Sequence, residues 1–249
     1  MEPCFSDGIG RRLTYSRIFR GGSRNSEAKR SGRKNPYSDS ICPPPEEVTV
    51  SEDFFAQHAS SYEQNRDRVD NVDKIAKAVI DSTSLDKHMH LMDFGSGTGL
   101  LLERVAPHVR KITAVDISKS MNEQLNRKRE GLDCDLEILE IDLETDELED
   151  RFDGIISSMT MHHVRDVEAM FRKFHALVKE GGFIAISDLD KEDGSFHTED
   201  TGVYHFGFHR EEIAGMAKAA GFKEVVVVDA SVINKPQGDF GVFMLKASR

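Results

Sequence analysis

The chain has no tryptophan and only three cysteines in 249 residues. Cys4, Cys42 and Cys134 are widely spaced and odd in number. That argues against a disulfide framework and against a paired-cysteine metal site, and it suits a reducing, cytoplasmic location. No apolar run is long enough to cross a bilayer, so no membrane partner is expected. Basic charge is also scarce: 33 Lys/Arg face 44 Asp/Glu, a net charge of −11. Nonspecific nucleic-acid binding rests on Lys/Arg neutralising phosphates, so an acidic body is a poor footprint for it and no nucleic acid is expected. What remains is length enough for one domain with a sizeable core, plus a tail.

The scarce basic charge is concentrated at one end. Residues 1–41 hold nine Lys/Arg and four Asp/Glu, a net +5, which leaves −16 on the rest. This segment is rich in Arg, Ser and Gly and poor in aliphatics, so it cannot bury enough apolar surface to offset its ordering entropy. A disordered basic tail over 1–49 is expected. Its composition also resembles an organellar leader, against which Glu2 and Asp7 stand. The "CPPPEE" stretch at Cys42 to Glu47 marks the boundary into a folded domain over 50–249.

From Val50 onward, helical and strand-like periodicities alternate. Helices are expected at 51–65, 72–82, 100–106, 119–129, 166–179 and 210–221, the fifth closed by Gly181-Gly182. Strands are expected at 90–94, 111–117, 136–141, 152–158 and 183–189, and in "EVVVVDAS" and "GVFMLKAS". Seven strands with helices between the first five imply an α/β, doubly wound Rossmann-like sheet, mostly parallel with an antiparallel C-terminal strand. The turn-rich "VINKPQGD" separates the last two strands. Residues 189–208 form a long irregular piece, and a loop of that length in a compact domain is usually functional or mobile.

In an open α/β sheet, ligands sit at the carboxyl ends of the strands, so the loop after the first strand is the place to look. It reads "DFGSGTG", Asp93 to Gly99. The dinucleotide fingerprint is G-x-G-x-x-G, which sets a pyrophosphate on a helix N-terminus. Here the third glycine comes one residue early, and a carboxylate precedes the loop. A fixed carboxylate would repel a pyrophosphate but would suit a ligand carrying positive charge.

The acidic-x-G-x-G-x-G pattern of Asp93, Gly95, Gly97 and Gly99 resembles the first motif of class I S-adenosylmethionine-dependent methyltransferases, in their generic small-molecule branch. The resemblance covers roughly 50–249. It implies S-adenosylmethionine as cofactor, with Gly95, Ser96, Gly97 and Gly99 around its methionine part and Asp93 near its amino group. Asp116, 21 residues after Gly95, would accept the ribose hydroxyls; a dinucleotide enzyme uses a carboxylate the same way, so this position supports an adenosine without separating the two. Asp142 would meet the adenine amino group with Leu143 beside the ring, although an acidic run surrounds Asp142 and a merely solvated charge is the competing reading. Ile117 and Met121 would pack on the adenosine, Met121 equally as a core residue. Ser158 would border the cofactor, and Tyr62 would close over its methionine end. Ser157 to Thr160 stand where nucleic-acid nitrogen methyltransferases carry an Asn/Asp-Pro-Pro-aromatic element, so that substrate class is not expected.

Methyl transfer from a sulfonium is a displacement with a neutral leaving group, so the protein mainly aligns the reactants and excludes water. A general base is needed only where the acceptor must lose a proton. His163 and His162, at the carboxyl end of the fourth strand, are the candidates, or else they cap the next helix. The 189–208 piece and its end add His197, Tyr204, His205 and His209; Tyr204, His205 and His209 are expected to shape a small-molecule acceptor site. His205 and His209 have the spacing of two zinc ligands on a helix, but Gly207 between them and the lack of a nearby Cys argue against a metal. Two readings follow: an enzyme methylating O or N of a small acceptor, or a methyltransferase-like protein that binds cofactor or a partner without turnover. A nicotinamide oxidoreductase conflicts with the glycine spacing.

Overall fold

The computed structural model describes residues 63, 66–198 and 202–249. The tail over 1–49, Tyr62 and all of the 51–65 helix except Glu63 lie outside the described residues. The elements in chain order are α1 (Arg66–Ser82), β1 (His90–Phe94), α2 (Leu100–Val105), β2 (Lys111–Asp116), α3 (Lys119–Lys128), β3 (Asp135–Glu140), β4 (Phe152–Ser158), α4 (Val167–Leu177), β5 (Val178–Leu189), α5 (Arg210–Ala219), β6 (Lys223–Lys235) and β7 (Gly238–Ser248).

The seven strands form one sheet in the order β3-β2-β1-β4-β5-β7-β6. β1 to β5 pair in parallel, and β7 runs antiparallel to both β5 and β6. The expected α/β class and its antiparallel C-terminal strand are therefore present. Strand order reverses at β1, whose neighbours are β2 and β4, and that switch point is where a doubly wound sheet opens a crevice.

Period-two alternation sends successive side chains to opposite faces. Leu91 joins Ile75, Val79, Leu102 and Leu125 of α1, α2 and α3 on one face. Met92 joins Phe171, Phe174 and Ile213 of α4 and α5 on the other. Strands with both faces covered read as apolar runs, whereas β6, at the sheet edge, leaves Val226, Val228 and Val232 exposed.

Three boundaries differ from expectation. α1 begins at Arg66, a turn and a half before the periodic stretch. α4 stops at Leu177 and β5 begins at once, so Gly181-Gly182 lie inside a strand. Val178 is fully buried opposite Phe152, and Lys179 reaches the Asp153 carboxylate at 2.8 Å; these tertiary contacts take the chain into the sheet early. In the last hairpin, pairing continues through Lys235 and Gly238, so "VINKPQGD" is mostly strand with Pro236-Gln237 as its turn.

Candidate functional site

The carboxyl ends of β1, β2 and β4 converge on the glycine loop. Asp116 closes β2, and its carboxylate takes two backbone amides at 2.8 Å: Gly97 N–H on Oδ2 and Ser118 N–H on Oδ1. Ser118 in turn caps α3 through its Oγ and the Met121 amide. One carboxylate thus fixes both the glycine loop and the start of the next helix.

Two of the glycines have different reasons to be glycine. Gly97 has φ +54, and a Cβ built there would meet nothing within 4 Å. Its bare backbone faces open space in the cleft, where a ligand can approach it closely. Gly99 has φ +88, and its Cβ would fall 2.5 Å from Leu125 Cδ1. Gly99 lines neither cavity and serves the seating of α2 against α3.

Two cavities flank the loop and share Gly95, Gly97, Ser158, Met159 and His163 as walls. The smaller, about 160 Å³, is an apolar slot between Phe94, Val115, Ile117, Met121, Ile141 and Leu143, with Asp116 and Asp142 at its polar margins. Ile117 is 63% exposed at its rim, a cost that a flat apolar ligand would relieve. Asp142 is exposed, and its Oδ1 also caps the following turn by accepting the Glu144 amide at 2.9 Å. The larger cavity, about 560 Å³, is bounded by α1, the glycine loop, the His162-His163 turn, Phe196 to Thr198 and the tip of the β6–β7 hairpin.

The polar atoms of the larger cavity carry its chemistry. Asn71 Oδ1, Asp93 Oδ2, Ser96 Oγ, Thr98 Oγ1 and Ser158 Oγ are buried and have no hydrogen-bond partner among the described residues. All five residues line this cavity. A buried polar atom left unpaired costs about 1–3 kcal/mol. Five gathered around one cleft mark a place for polar ligand groups. Asp93 is 1% exposed, and burial, with the nearby Asp116 charge second, pushes its carboxyl up to about 8. Burial thus favours its neutral acid form at neutral pH. A cationic group bound there would draw it back to the charged form.

His162 lies in the 3-10 turn Met161–His163 and is buried. Its Nδ1 is 2.7 Å from Asp188 Oδ1, and its backbone N–H donates to Asp188 Oδ2 at 3.2 Å. Asp188 is fully buried near the end of β5, and its Oδ1 also accepts the Leu189 amide. The carboxylate therefore orients the ring with Nδ1 turned to the acid, leaving Nε2 as the nitrogen for the cavity that His162 lines. His163 and His197 also line it; burial, with the adjoining His162 second, lowers each to about 4. Of the two expected histidines, His162 has its Nδ1 beside a carboxylate while His163 Nδ1 lies 3.4 Å from the Gly202 carbonyl, and that geometry favours His162.

Met159, at the end of β4, has φ +57, an uncommon conformation for a residue with a side chain. It is a wall of both cavities, at their junction. Asp188, Met159, Arg68, Asn71 and Lys235 were not foreseen as site residues. Asp188 sits in an apolar strand sequence, and only its burial beside His162 gives it away.

Tyr204, His205 and His209 stand elsewhere than expected: none lines either cavity. The amides of Tyr204 and His205 donate to the His162 carbonyl, and His205 Nε2 lies 3.0 Å from the Val164 carbonyl. Arg165 donates to the Tyr204 hydroxyl at 2.9 Å. They brace the histidine turn from outside. His209 is the exposed N-cap position of α5. Bonds also hold the described residues after β5: Asp190 holds Arg210 through two bonds of 2.6 and 2.7 Å, the Lys191 and Glu192 amides donate to the Phe208 and Phe206 carbonyls, and the Phe208 amide donates to the Leu189 carbonyl.

A family model described as a methyltransferase domain matches residues 62–228. An uncharacterized methyltransferase of Schizosaccharomyces pombe is 28% identical over 178 residues, 65% of this chain and 61% of that protein. A ubiquinone biosynthesis O-methyltransferase of Coxiella burnetii is 31% identical over 107 residues, 42% of this chain and 45% of that protein. The chain thus spans about half to three fifths of the length of these relatives. Among solved structures, Haemonchus contortus phosphoethanolamine N-methyltransferase 2 in complex with S-adenosyl-L-methionine has a TM-score of 0.59 and 14% identity over 81% of this chain and 60% of that one, a likeness of fold.

Proposed function

Because this chain belongs to the methyltransferase-domain family, we propose that it is an enzyme that uses S-adenosylmethionine to methylate an O or N atom of a small acceptor. The observation that carries this reading is the ring of unpartnered buried oxygens around the glycine loop, with the raised Asp93 carboxyl among them. An ammonium suits Asp93. Ribose hydroxyls suit the Asp116 carboxylate at the polar margin of the slot, and an adenine suits the slot between Ile117, Met121 and Leu143, with Asp142 at its margin. Arg68, one helical turn before Asn71 on α1, offers a cation to a carboxylate in the same cavity. Gly95, Ser96 and Gly97 present the backbone between the two halves, and Ser158 borders both.

When bound, the cofactor supplies an electrophilic methyl on a positively charged sulfur. The residues of this chain do the rest. Met159 and His163, walls common to both cavities, narrow the junction where nucleophile and methyl must meet. His162 Nε2 takes the proton that an O–H or N–H acceptor must lose, and the imidazolium so formed is stabilised by Asp188 through Nδ1–H. Phe196 and the hairpin tip exclude water from the larger cavity.

Calorimetry with S-adenosylmethionine and with its demethylated product, S-adenosylhomocysteine, tests the cofactor. Binding in the micromolar range, lost in Asp116→Ala, is expected. No heat at high micromolar concentration, or an unchanged Asp116→Ala variant, would sink the proposal.

A further inference from the structure

The chain is acidic, but its larger cavity is not. Among the described residues, three that ordinarily carry fixed charge line that cavity: Arg68, Lys235 and Asp93. Two are cations, and burial favours the neutral form of Asp93. Among the described residues, other carboxylates near the cavity also bond the fold: Asp116 accepts the Gly97 and Ser118 amides at 2.8 Å, and the Glu192 charge favours the protonated form of Lys235. Asp188 holds His162, and Glu192 accepts the amides of Gly194 and Phe196 at 2.8 and 3.1 Å. A net charge of −11 on the whole and a positive lining in one cleft is the arrangement that draws in an anion.

The cofactor does not consume this charge. On the reading proposed above, its ammonium pairs with Asp93 and its carboxylate with one cation, Arg68. The sulfonium adds a further positive charge. Lys235 and the sulfonium are then two positive charges lining the acceptor's side of the cleft, and like charges held together favour an anionic ligand.

Lys235 is built into its place. It ends β6, and its Nζ donates to the Phe196 carbonyl at 2.6 Å and sits 3.6 Å from the Phe196 ring centroid. Gln237 Nε2 donates to the Ser195 carbonyl at 3.0 Å, so the hairpin tip is tied to the segment that walls the cavity. An ammonium has three donors, and among the described residues the Phe196 carbonyl takes one of them. Burial foremost, and the Arg68 charge next, make its protonated form costly, a cost that a bound anion would relieve.

We propose that the methyl acceptor carries a compact oxyanion, a phosphate or a carboxylate, and that Lys235 at the β6–β7 turn is the residue that holds it. This rests on the methyltransferase reading of the same site. It adds the charge class of the acceptor and a specificity-determining residue outside the family's glycine loop.

The test titrates inorganic phosphate and, separately, acetate into the full chain saturated with S-adenosylhomocysteine, at constant ionic strength. Millimolar binding of at least one is expected, weakened fivefold or more in Lys235→Gln and restored in Lys235→Arg, with melting temperature and S-adenosylhomocysteine affinity of the variants monitored alongside. Pro236→Glu, which adds negative charge at the tip and leaves the Lys235 bond in place, should weaken it likewise and covers the case in which Lys235→Gln does not fold. Phosphate binding without acetate binding assigns a phosphate, and the reverse a carboxylate. Neither anion binding while S-adenosylhomocysteine binds, or equal binding by all variants, overturns the inference alone. Failure of S-adenosylhomocysteine to bind overturns the underlying reading and this one with it.

Discussion

The Nδ1 atom of His162 lies 2.7 Å from Oδ1 of Asp188, with both side chains buried. A carboxylate in that position fixes the ring's tautomer and stabilises the imidazolium that forms when Nε2 takes a proton. Asp188→Asn keeps the shape but lets the amide present a donor to Nδ1. The expected outcome is a fall in kcat/KM of about 10²- to 10⁴-fold. S-adenosylhomocysteine affinity should change little, because Asp188 lines neither cavity. A variant with unimpaired turnover would remove His162 from the role of base.

Asp93 predicts a proton-linked cofactor. Its carboxyl is raised to about 8 by burial, and pairing with an ammonium brings it back to the charged form. Below pH 8, binding should release close to one proton, and affinity should rise by up to about tenfold per pH unit until it levels near pH 8. Calorimetry at pH 6 to 9 in two buffers of different ionisation enthalpy reads both quantities. A flat profile would show that Asp93 does not meet the ammonium.

The same group predicts a trade of stability for binding. Because its folded value lies above its unfolded one, the folded state holds more protons between about pH 4 and pH 8, and stability falls as pH rises through that window. Asp93→Asn removes the fall. Denaturant unfolding should find the variant more stable than the wild type at pH 9 and gaining less at pH 5, with cofactor affinity lost at both.

Gly97 and Gly99 should separate binding from folding. At Gly99 an added methyl meets Leu125 at 2.5 Å as well as positive φ. Gly99→Ala is expected to lose about 1–3 kcal/mol of stability, with a smaller change in cofactor affinity. Gly97→Ala meets only the backbone penalty, about 1–2 kcal/mol, but puts a methyl into the cleft. Its cofactor dissociation constant should rise more than tenfold. Equal effects of the two substitutions on binding would contradict the separation.

Ile117 tests the apolar slot without disturbing the core. It is 63% exposed, so Ile117→Ser should change stability by no more than about 0.5 kcal/mol. Loss of its contact with a flat ligand should weaken cofactor binding five- to tenfold, read by calorimetry. An unchanged affinity would move the adenine out of the slot.

The positions of the glycine loop, Asp93 and Asp116 could be read from the sequence because their geometry is local. A turn that needs positive φ must write glycine at those positions, and a carboxylate at a strand end is set beside the loop by the strand itself. Seven strands and their alternation with helices were legible for a similar reason, since burial on a period of two or 3.6 leaves its mark in contiguous residues. Boundaries failed where tertiary contact overrode local preference. Val178 pairs with Phe152 while the sequence still reads as helix, and the last hairpin continues through residues with turn character because each strand completes the other's bonds.

The acceptor side was decided by tertiary structure alone. His162 and Asp188 are 26 residues apart. They meet because β4 and β5 lie side by side in a register that sets Ser158 against Ser187. Lys235 reaches the cavity only because an antiparallel hairpin carries it to Phe196. Conversely, Tyr204 and His205 looked like acceptor groups in sequence, yet backbone bonds to His162 hold them on the far side of its turn. A sequence fixes which backbone turns a chain can make, and so where a cofactor loop sits. The charges and bases that choose a substrate come from separate strands, and their positions follow from strand order and register.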